Sequence, residues 1–235
     1  PLNEGGADFG VDLAFPGDER LAFEMQVLYP LAGLDPATAP AFDALRRAKN
    51  AHTDLKVAHC SNTACTSATL TTLDSTGLVG AFTSVTIGAD GLGLISYRDD
   101  TNMDLKYAYH DGAAWQLETV ACGSSGWYGV STSLALDPQD RPRISYCACW
   151  PTDDLRYAWN DNDGGGWHTA TVDSERENST GTSLALDAGG LAHVAYLDFR
   201  DEANHLLKYA HRSDAGWQMG WIDSEDPVSG HISLA

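Results

Sequence analysis

Short stretches of alternating apolar and polar residues recur along the chain at a spacing of about fifty residues. The pattern is clearest in Ser133-Leu-Ala-Leu-Asp137, Ile144-Ser-Tyr146 and Asp154-Leu-Arg-Tyr-Ala158, which are followed by Trp167. Matching stretches, each with a tyrosine at the same position, lie one unit upstream and one unit downstream. Alternation over a few residues is typical of half-buried β-strands, so the pattern predicts a repeat of short strands.

Each unit contains four such stretches, separated by Gly, Asp, Asn and Pro residues. The fourth follows the tryptophan, as in Gln116-Leu-Glu-Thr-Val120, and Asp90-Gly91 supplies the positive φ that a tight hairpin needs. A single four-stranded sheet of this size cannot bury both of its faces. Packing successive sheets face to face around an axis buries them. The sequence therefore predicts an all-β fold, a β-propeller or incomplete propeller of four-stranded antiparallel blades.

Fainter copies of the pattern extend toward the N-terminus. Val11-Asp-Leu-Ala-Phe15 and Leu21-Ala-Phe23 match the first two strands of a unit, and Thr53-Asp-Leu-Lys-Val-Ala-His59 matches the third. Between them lies an insertion at about residues 24–50 whose composition is compatible with a short helix. We therefore expect residues 1–235 to form a single propeller-type repeat domain that this insertion interrupts.

The other end of the chain, residues 229–235, matches the opening strand of a further unit. Three arrangements fit this pattern. The sequence is a fragment of a longer repeat array, the terminal strand closes a four-bladed ring with the first unit, or another chain completes the ring. As an unpaired edge, the same strand would also offer a place for assembly with another chain.

One part of the chain is similar to a group of secreted bacterial proteins. Asp54-Leu-Lys-Val-Ala-His-Cys-Ser-Asn-Thr-Ala-Cys65, followed by Ile87-Gly-Ala-Asp-Gly91 and Ile95-Ser-Tyr97, resembles the DLKVAHCSNxxC … DGLPxISYYD unit that those proteins repeat in tandem. The resemblance extends over about residues 53–235 and implies an extracellular, propeller-like repeat array, but little chemistry. More distantly, Asn160-Asp-Asn-Asp-Gly-Gly-Gly-Trp167 resembles the Asp-box turn of sialidase-type propellers, which is structural in that family.

Acidic residues recur in the turn between the second and third strands of each unit. In a four-stranded meander this turn shares a face with the crossover to the next unit, and loops on a rigid scaffold often carry binding residues. Carboxylates there can bind Ca²⁺, accept hydrogen bonds from sugar hydroxyls or act as an acid–base pair, while solvated turn chemistry is the simpler alternative. The candidate binding residues are Arg98, Asp99, Asp100, Asp104, Trp150, Asp153, Asp154, Asp198, Arg200 and Asp201.

Five cysteines are present, and none has the spacing of a zinc knuckle or a haem attachment site. Cys60 and Cys65 flank a short turn, which predicts a disulfide and an oxidising compartment. Cys122 ends a fourth strand on the same face as Cys147 and Cys149, which end a second strand in the next unit. We expect an inter-blade disulfide from Cys122 to Cys149, or to Cys147 instead, with a Cys-x-Cys metal or redox site as the alternative.

Three residues, Trp115, Trp167 and Trp217, each begin a fourth strand just after a turn. In the first unit Cys65 takes this position, with Cys60 across the turn. We expect the indole rings, like that disulfide, to clamp the hairpin and cover the edge of the blade. A stacking platform for sugar is the alternative.

The chain is strongly acidic, with 33 Asp and Glu residues against 14 Lys and Arg residues and a net charge of −19. Such a surface repels phosphate backbones and anionic lipids, which argues against nucleic-acid binding. The apolar runs are too short for a membrane span. We expect no cofactor, with Ca²⁺ as the alternative. Asp161 and Asp163 are the weak candidates for that ion, because their Gly-rich turn lacks the closing glutamate of an EF-hand.

The sequence contains no nucleophile elbow, HExxH zinc motif, P-loop or dinucleotide fingerprint. These observations favour a secreted binding or assembly module, extracellular or periplasmic, over an enzyme. It would recognise glycan or an extracellular protein through several equivalent turns at once. The alternatives are a propeller-type glycoside hydrolase or lyase, and a structural subunit of an extracellular or envelope assembly.

Overall fold

A computed structural model describes residues 54–123, 127–149, 153–174, 178–201, 204–223 and 232–234. The chain divides into two compact units, residues 1–52 and 53–235. The insertion predicted at residues 24–50 and the first two predicted strands belong to the first unit and lie outside the described residues. A single domain over residues 1–235, and the number of blades, therefore stay predictions.

The described residues form β-strands and no helix, and so contain no helical segment suited to crossing a membrane. In chain order the strands are β1 (Leu55–Cys60), β2 (Ala68–Asp74), β3 (Val79–Ile87), β4 (Gly93–Asp99), β5 (Asp104–His110), β6 (Trp115–Ala121), β7 (Trp127–Leu136), β8 (Pro142–Cys149), β9 (Asp154–Asn160), β10 (Trp167–Asp173), β11 (Asn178–Leu186), β12 (Ala192–Asp201), β13 (Asn204–Ser213) and β14 (Gly216–Asp223).

These strands pair in chain order as antiparallel sheets, because each connection within a sheet is a short turn. We call the pair β1–β2 the first blade, and the four-stranded sheets β3–β6, β7–β10 and β11–β14 the second, third and fourth blades. The predicted unit of four antiparallel strands is confirmed. The fold is all-β and of the propeller type, with a repeat of about fifty residues.

The blades are joined through their first strands by a repeated hydrogen bond, in which a backbone amide of one blade donates to a serine hydroxyl of the blade before it. The three bonds are Leu134 N to Ser84 Oγ at 3.0 Å, Leu184 N to Ser133 Oγ at 3.0 Å, and Leu234 N to Ser183 Oγ at 2.9 Å. The last of them places residues 232–234 beside the fourth blade in the position of a first strand.

Aromatic rings close the space between neighbouring blades. The ring of Trp167 packs edge-on against Tyr107 of the blade before it, with centroids 5.0 Å apart. Trp217 packs against Tyr157 in the same way at 5.3 Å. These tryptophans therefore seal the interface with the preceding blade, in addition to beginning their own strands.

Two glycines lie where the first strand of a blade passes close to a strand of the preceding blade: β3 passes β1, and β7 passes β5. Gly80 and Gly129 have φ values of +87° and +76°. A Cβ at Gly80 would lie 2.9 Å from Leu55 Cα, and one at Gly129 would lie 3.1 Å from Leu105 Cα. Only glycine satisfies both the backbone conformation and the close approach.

Candidate functional site

Each blade presents loops at two opposite ends. We call the crossover face the end that carries the turn between the second and third strands and the connection to the next blade. We call the hairpin face the end that carries the other two turns. In the second blade the crossover face includes residues 100–103, and the hairpin face includes residues 88–92 and 111–114. Those of the predicted site residues that the structure describes lie at the crossover face.

The predicted site residues Asp99 and Asp104 of the second blade bind atoms of their own chain. Asp99 is 3% exposed and accepts hydrogen bonds from the backbone and side-chain amides of Asn102, both at 2.9 Å. Asp104 accepts a hydrogen bond from Gly123 N at 2.8 Å. The two carboxylates thus hold the turn and the crossover in place, and a role in ligand binding stays a prediction for them.

Other predicted site residues are also engaged within the fold. Arg98 is buried, with its Nε atom 2.9 Å from Asp100 Oδ1. Asp198 is 2% exposed, and one of its carboxylate oxygens lies 3.3 Å from the ammonium group of Lys208. Asp154 is likewise buried.

Of the remaining predicted site residues, the structure describes the side chain of one. Asp153 is half-buried and has a positive φ of 49°. Trp150 lies outside the described residues, as do the side chains of Arg200 and Asp201. Their part in binding stays a prediction.

A buried carboxylate that sequence reasoning missed joins the first and second blades. Asp74, at the end of β2, accepts hydrogen bonds from the Tyr97 hydroxyl at 2.8 Å and from the Lys106 ammonium group. Burial would raise the pKa of Asp74, but the bonds from Lys106, Tyr97 and Thr76 N outweigh it and lower that pKa. Burial and then the Asp74 carboxylate raise the pKa of Tyr97, so its hydroxyl stays protonated and donates.

The same network recurs between the third and fourth blades. Asp173 ends β10 and accepts hydrogen bonds from the Tyr196 hydroxyl at 2.6 Å and from Lys208 Nζ at 2.5 Å. Asp173 is 2% exposed and Lys208 is 4% exposed. Because the acid comes from one blade and both donors from the next, the network ties neighbouring blades together. The signal in the sequence was the recurrence of Tyr and Lys at fixed positions.

The structure contains two disulfides, Cys60–Cys65 and Cys147–Cys149. The first is the bond expected across the short turn. The second corrects the expectation that Cys122 bonds to Cys149 or Cys147, because Cys122 is an exposed free thiol. Cys147 and Cys149 lie two residues apart on β8, so their side chains point to the same side of the strand and meet without any contribution from another blade.

A potential metal-ligand set lies beside the second disulfide. The sulfur atoms of Cys147 and Cys149 and a carboxylate oxygen of Asp153 all lie within 4.8 Å of one another. Two thiolates and a carboxylate suit a soft divalent ion, but sulfurs joined in a disulfide are not thiolate ligands. The set therefore fits a metal only after reduction of that bond.

The weak calcium candidates, Asp161 and Asp163, serve the turn between β9 and β10. Asp161 pairs with Arg143, whose Nη2 lies 2.8 Å from its carboxylate. Asp163 accepts a hydrogen bond from Gly165 N at 2.8 Å. The Arg143 partner already neutralises one carboxylate, which disfavours a divalent cation at this turn.

A cavity opens on the hairpin face, between the second and third blades. It encloses about 310 Å³ and is lined on one side by the turn after β3 and on the other by the turns after β7 and β9. The Asp140 carboxylate reaches across the gap to accept a hydrogen bond from Ala89 N at 3.1 Å. Asp90 accepts one from Leu92 N at 2.9 Å within its own turn. We call this cavity the inter-blade groove.

Two tyrosine rings and one glutamate are among the residues that line the inter-blade groove. The rings of Tyr107 and Tyr109 stack with centroids 5.6 Å apart, and both border the cavity. Glu118 borders it as well and accepts a hydrogen bond from the Trp167 indole nitrogen at 2.8 Å. Burial and then the Glu118 charge raise the pKa of Tyr109, so the hydroxyl remains a donor at neutral pH.

The hairpin face was not predicted as a binding face, because its lining residues come from two blades and are far apart in sequence. Trp167 and Glu118 are separated by 49 positions. The sequence predicts that the indole covers the edge of a blade and that Glu118 lies in a fourth strand, and neither prediction points to a ligand. Glu118 and Trp167 are about one repeat apart, and they meet because neighbouring blades of a propeller pack face to face.

No protein-family model matches the chain, and no curated protein sequence matches it. Among solved structures, the chain is similar to a fucose lectin from Kordia zhangzhouensis in complex with methyl-fucoside, with 15% identity and a TM-score of 0.45 over 61% of this chain and 99% of the lectin. It is also similar to an α-L-arabinofuranosidase from Fusarium graminearum in complex with an iminosugar inhibitor, with 11% identity and a TM-score of 0.43 over 73% of this chain and 52% of that enzyme. At these scores the similarities assign no function to the chain.

Proposed function

We propose that this chain is an extracellular glycan-binding module and that the inter-blade groove is its binding site. The observation that carries the proposal is the combination, in one cavity, of the stacked Tyr107 and Tyr109 rings with the Glu118 carboxylate. Sugars present apolar ring faces together with hydroxyl groups, so they are bound by aromatic rings next to fixed hydrogen-bonding groups. Two disulfides favour an oxidising compartment for the protein.

The size and lining of the groove suit a small part of a glycan. A volume of about 310 Å³ lies at the lower end of the range for small-molecule sites. Asn160, Asn162 and His110 line the rim and add donors and acceptors that sugar hydroxyls can use. Asn162 lies on the turn after β9, Asn160 and His110 are the last residues of β9 and β5, and the tyrosines come from within β5.

The hydrogen bonds that the lining carboxylates already accept favour binding over hydrolysis. A glycoside hydrolase needs two carboxyl groups free to act on one bond. Asp90 and Asp140 each accept a hydrogen bond from a turn amide, and Glu118 is held by the Trp167 indole. These bonds fix the shape of the site; Glu118 also accepts from the Tyr109 hydroxyl, and its remaining lone pairs can accept a hydroxyl group of a sugar.

Glycan-array binding of the full chain, followed by titration of the best neutral ligand, tests this proposal. We expect Tyr109→Ala and Glu118→Gln each to weaken binding by about tenfold, the effect of losing a stacking ring or a charged hydrogen bond. Asp214→Asn is the matched control, because that acid is exposed on the hairpin face of the fourth blade. Unchanged affinity in both groove variants would overturn the site, and release of reducing sugar from the ligand would favour the hydrolase.

A further inference from the structure

The buried network that joins neighbouring blades is altered at one interface. The second blade uses Asp74 of the first blade, and the fourth blade uses Asp173 of the third. The third blade should use the matching residue at the end of β6, which is Ala121. The interface between the second and third blades therefore lacks the carboxylate that the other two share.

A second acid is missing at the same place. Asp99 and Asp198, which follow the buried tyrosines Tyr97 and Tyr196 by two positions, are both buried beside their networks. The corresponding residue after Tyr146 is Ala148. The cation at this interface is nevertheless retained as Arg156, at the position that holds Lys106 or Lys208 in the neighbouring blades.

The polar groups that remain have lost their acceptors. Tyr146 is 0% exposed, and its hydroxyl oxygen interacts with Arg156 but its own proton has no acceptor among the described residues. Arg156 Nε also has none in that part of the chain. The charged group nearest to it is Asp154, whose carboxylate lies 3.8 Å from Nε. Burying a hydroxyl and a guanidinium N–H without partners is costly, so a ligand that accepts from both would be stabilised here.

The Arg156 side chain is oriented and reachable. Its guanidinium group lies over the Tyr128 ring, 5.3 Å from the ring centroid, and the side chain is 25% exposed. Stacking on a ring holds the plane of the guanidinium and leaves its N–H edges for a planar, bidentate acceptor. The crossover residues 122–126 include no acidic residue that could substitute for the missing carboxylate.

Resting on the proposed glycan-binding function, we propose that Arg156 and Tyr146, beside Ala121 and Ala148, donate to the carboxylate of an acidic sugar. The ligand carboxylate takes the place that Asp74 and Asp173 occupy at the other two interfaces. This site lies on the crossover face and does not depend on the inter-blade groove.

Titration of the full chain with galacturonate, galactose and acetate tests the proposal. We expect galacturonate to bind at least about tenfold more tightly than galactose, because the carboxylate adds charge-assisted hydrogen bonds. Acetate binding as tightly as galacturonate would show that the site recognises a carboxylate alone, and would overturn the assignment to a sugar. Equal affinity for galacturonate and galactose would overturn the site itself.

Three variants locate the binding. Arg156→Gln and Ala121→Asp should each weaken galacturonate binding by about tenfold, the first by removing the cation and the second by supplying the missing carboxylate from the chain. Lys56→Gln is the matched control, since Lys56 occupies the same repeat position in the first blade but its side chain is 56% exposed. Ala121→Asp should also raise the melting temperature, so loss of binding in that variant is not loss of fold.

Unchanged galacturonate binding in Ala121→Asp refutes the proposal even if Arg156→Gln fails to fold. A loss in Lys56→Gln equal to the loss in Arg156→Gln would also refute it, because it would indicate a general charge effect. Binding of neutral glycans at the inter-blade groove should be unchanged in Ala121→Asp. Failure of the groove and failure of the carboxylate site therefore give different results.

Discussion

Replacing the buried carboxylate Asp74 tests the physical basis of the contact between blades. Asp74 is 5% exposed and accepts from the Tyr97 hydroxyl at 2.8 Å and from the Lys106 ammonium group. Asp74→Asn preserves the volume and one acceptor but removes the charge. A hydrogen bond between charged groups contributes about 1.5–3 kcal/mol. Because the Lys106 side chain is still 16% exposed and regains some hydration, we expect a loss of about 2 kcal/mol.

The pH dependence of this loss gives a second test. The pKa of Asp74 in the folded protein is lower than its ordinary value of 3.8, because Lys106, Tyr97 and Thr76 N outweigh the effect of burial. A carboxylate with a lowered folded pKa stabilises the protein above its unfolded pKa, and that stabilisation disappears as the pH falls through the folded pKa. The difference between wild type and variant should therefore be complete near neutral pH and shrink below about pH 4.

Urea denaturation at about pH 7 and about pH 2.5 measures both quantities. Asp54→Asn is the control, because Asp54 pairs with Lys56 at 3.4 Å but the lysine side chain is 56% exposed. Such a pair contributes little, so the control should change the free energy of unfolding by less than about 0.5 kcal/mol. Equal losses in the two variants, or a loss for Asp74→Asn that persists undiminished at low pH, would refute the assignment of a buried charge network.

Three further changes test the packing and cross-links of the blades. Gly129→Ala should lower the free energy of unfolding by about 3 kcal/mol, as measured by urea denaturation. Gly181→Ala should lower it by only about 1 kcal/mol, because its added Cβ would meet only a side-chain carbon, at 3.7 Å. Reduction of the Cys60–Cys65 bond should lower stability by about 2 kcal/mol, seen as a lower melting temperature in dithiothreitol than in buffer. Ser183→Ala should cost about 1 kcal/mol and speed amide exchange in residues 232–234.

The strands could be predicted from the sequence because each is a local pattern that the repeat confirms several times. Ile144-Ser-Tyr146, for example, was read as a second strand and forms the centre of β8 (Pro142–Cys149). Alternation decides which side chains face the neighbouring blade, and the short turns decide that the strands are antiparallel. Both depend on residues close together in the chain.

The sites could not be predicted in the same way, because they depend on contacts between blades. Asp198 was expected in a binding loop, but Lys208 on the neighbouring strand of its own blade lies 3.3 Å from it, and Asp173 of the preceding blade shares that buried lysine. Cys149 bonds to Cys147, two residues away on the same strand, and not to Cys122 across the blades as the sequence predicted. An acidic residue at the end of a strand is compatible with either a ligand site or an internal ion pair, and only the position of the next blade distinguishes them.

The interface between the second and third blades can lose its carboxylates because other contacts hold it together. Ile144, Leu134 and Leu105 are buried there in one apolar cluster, and the bond from Leu134 N to Ser84 Oγ is intact. Apolar burial supplies most of the stability of such a contact, and replacement of buried acids by apolar residues that pack well can cost little, whereas removing one partner of an existing buried pair is costly. Ala121 and Ala148 at the two acid positions therefore leave the stack of blades in place, and in the proposed site they leave Arg156 available to a ligand carboxylate. In a repeat protein, one interface can in this way acquire a binding function without any change in the fold.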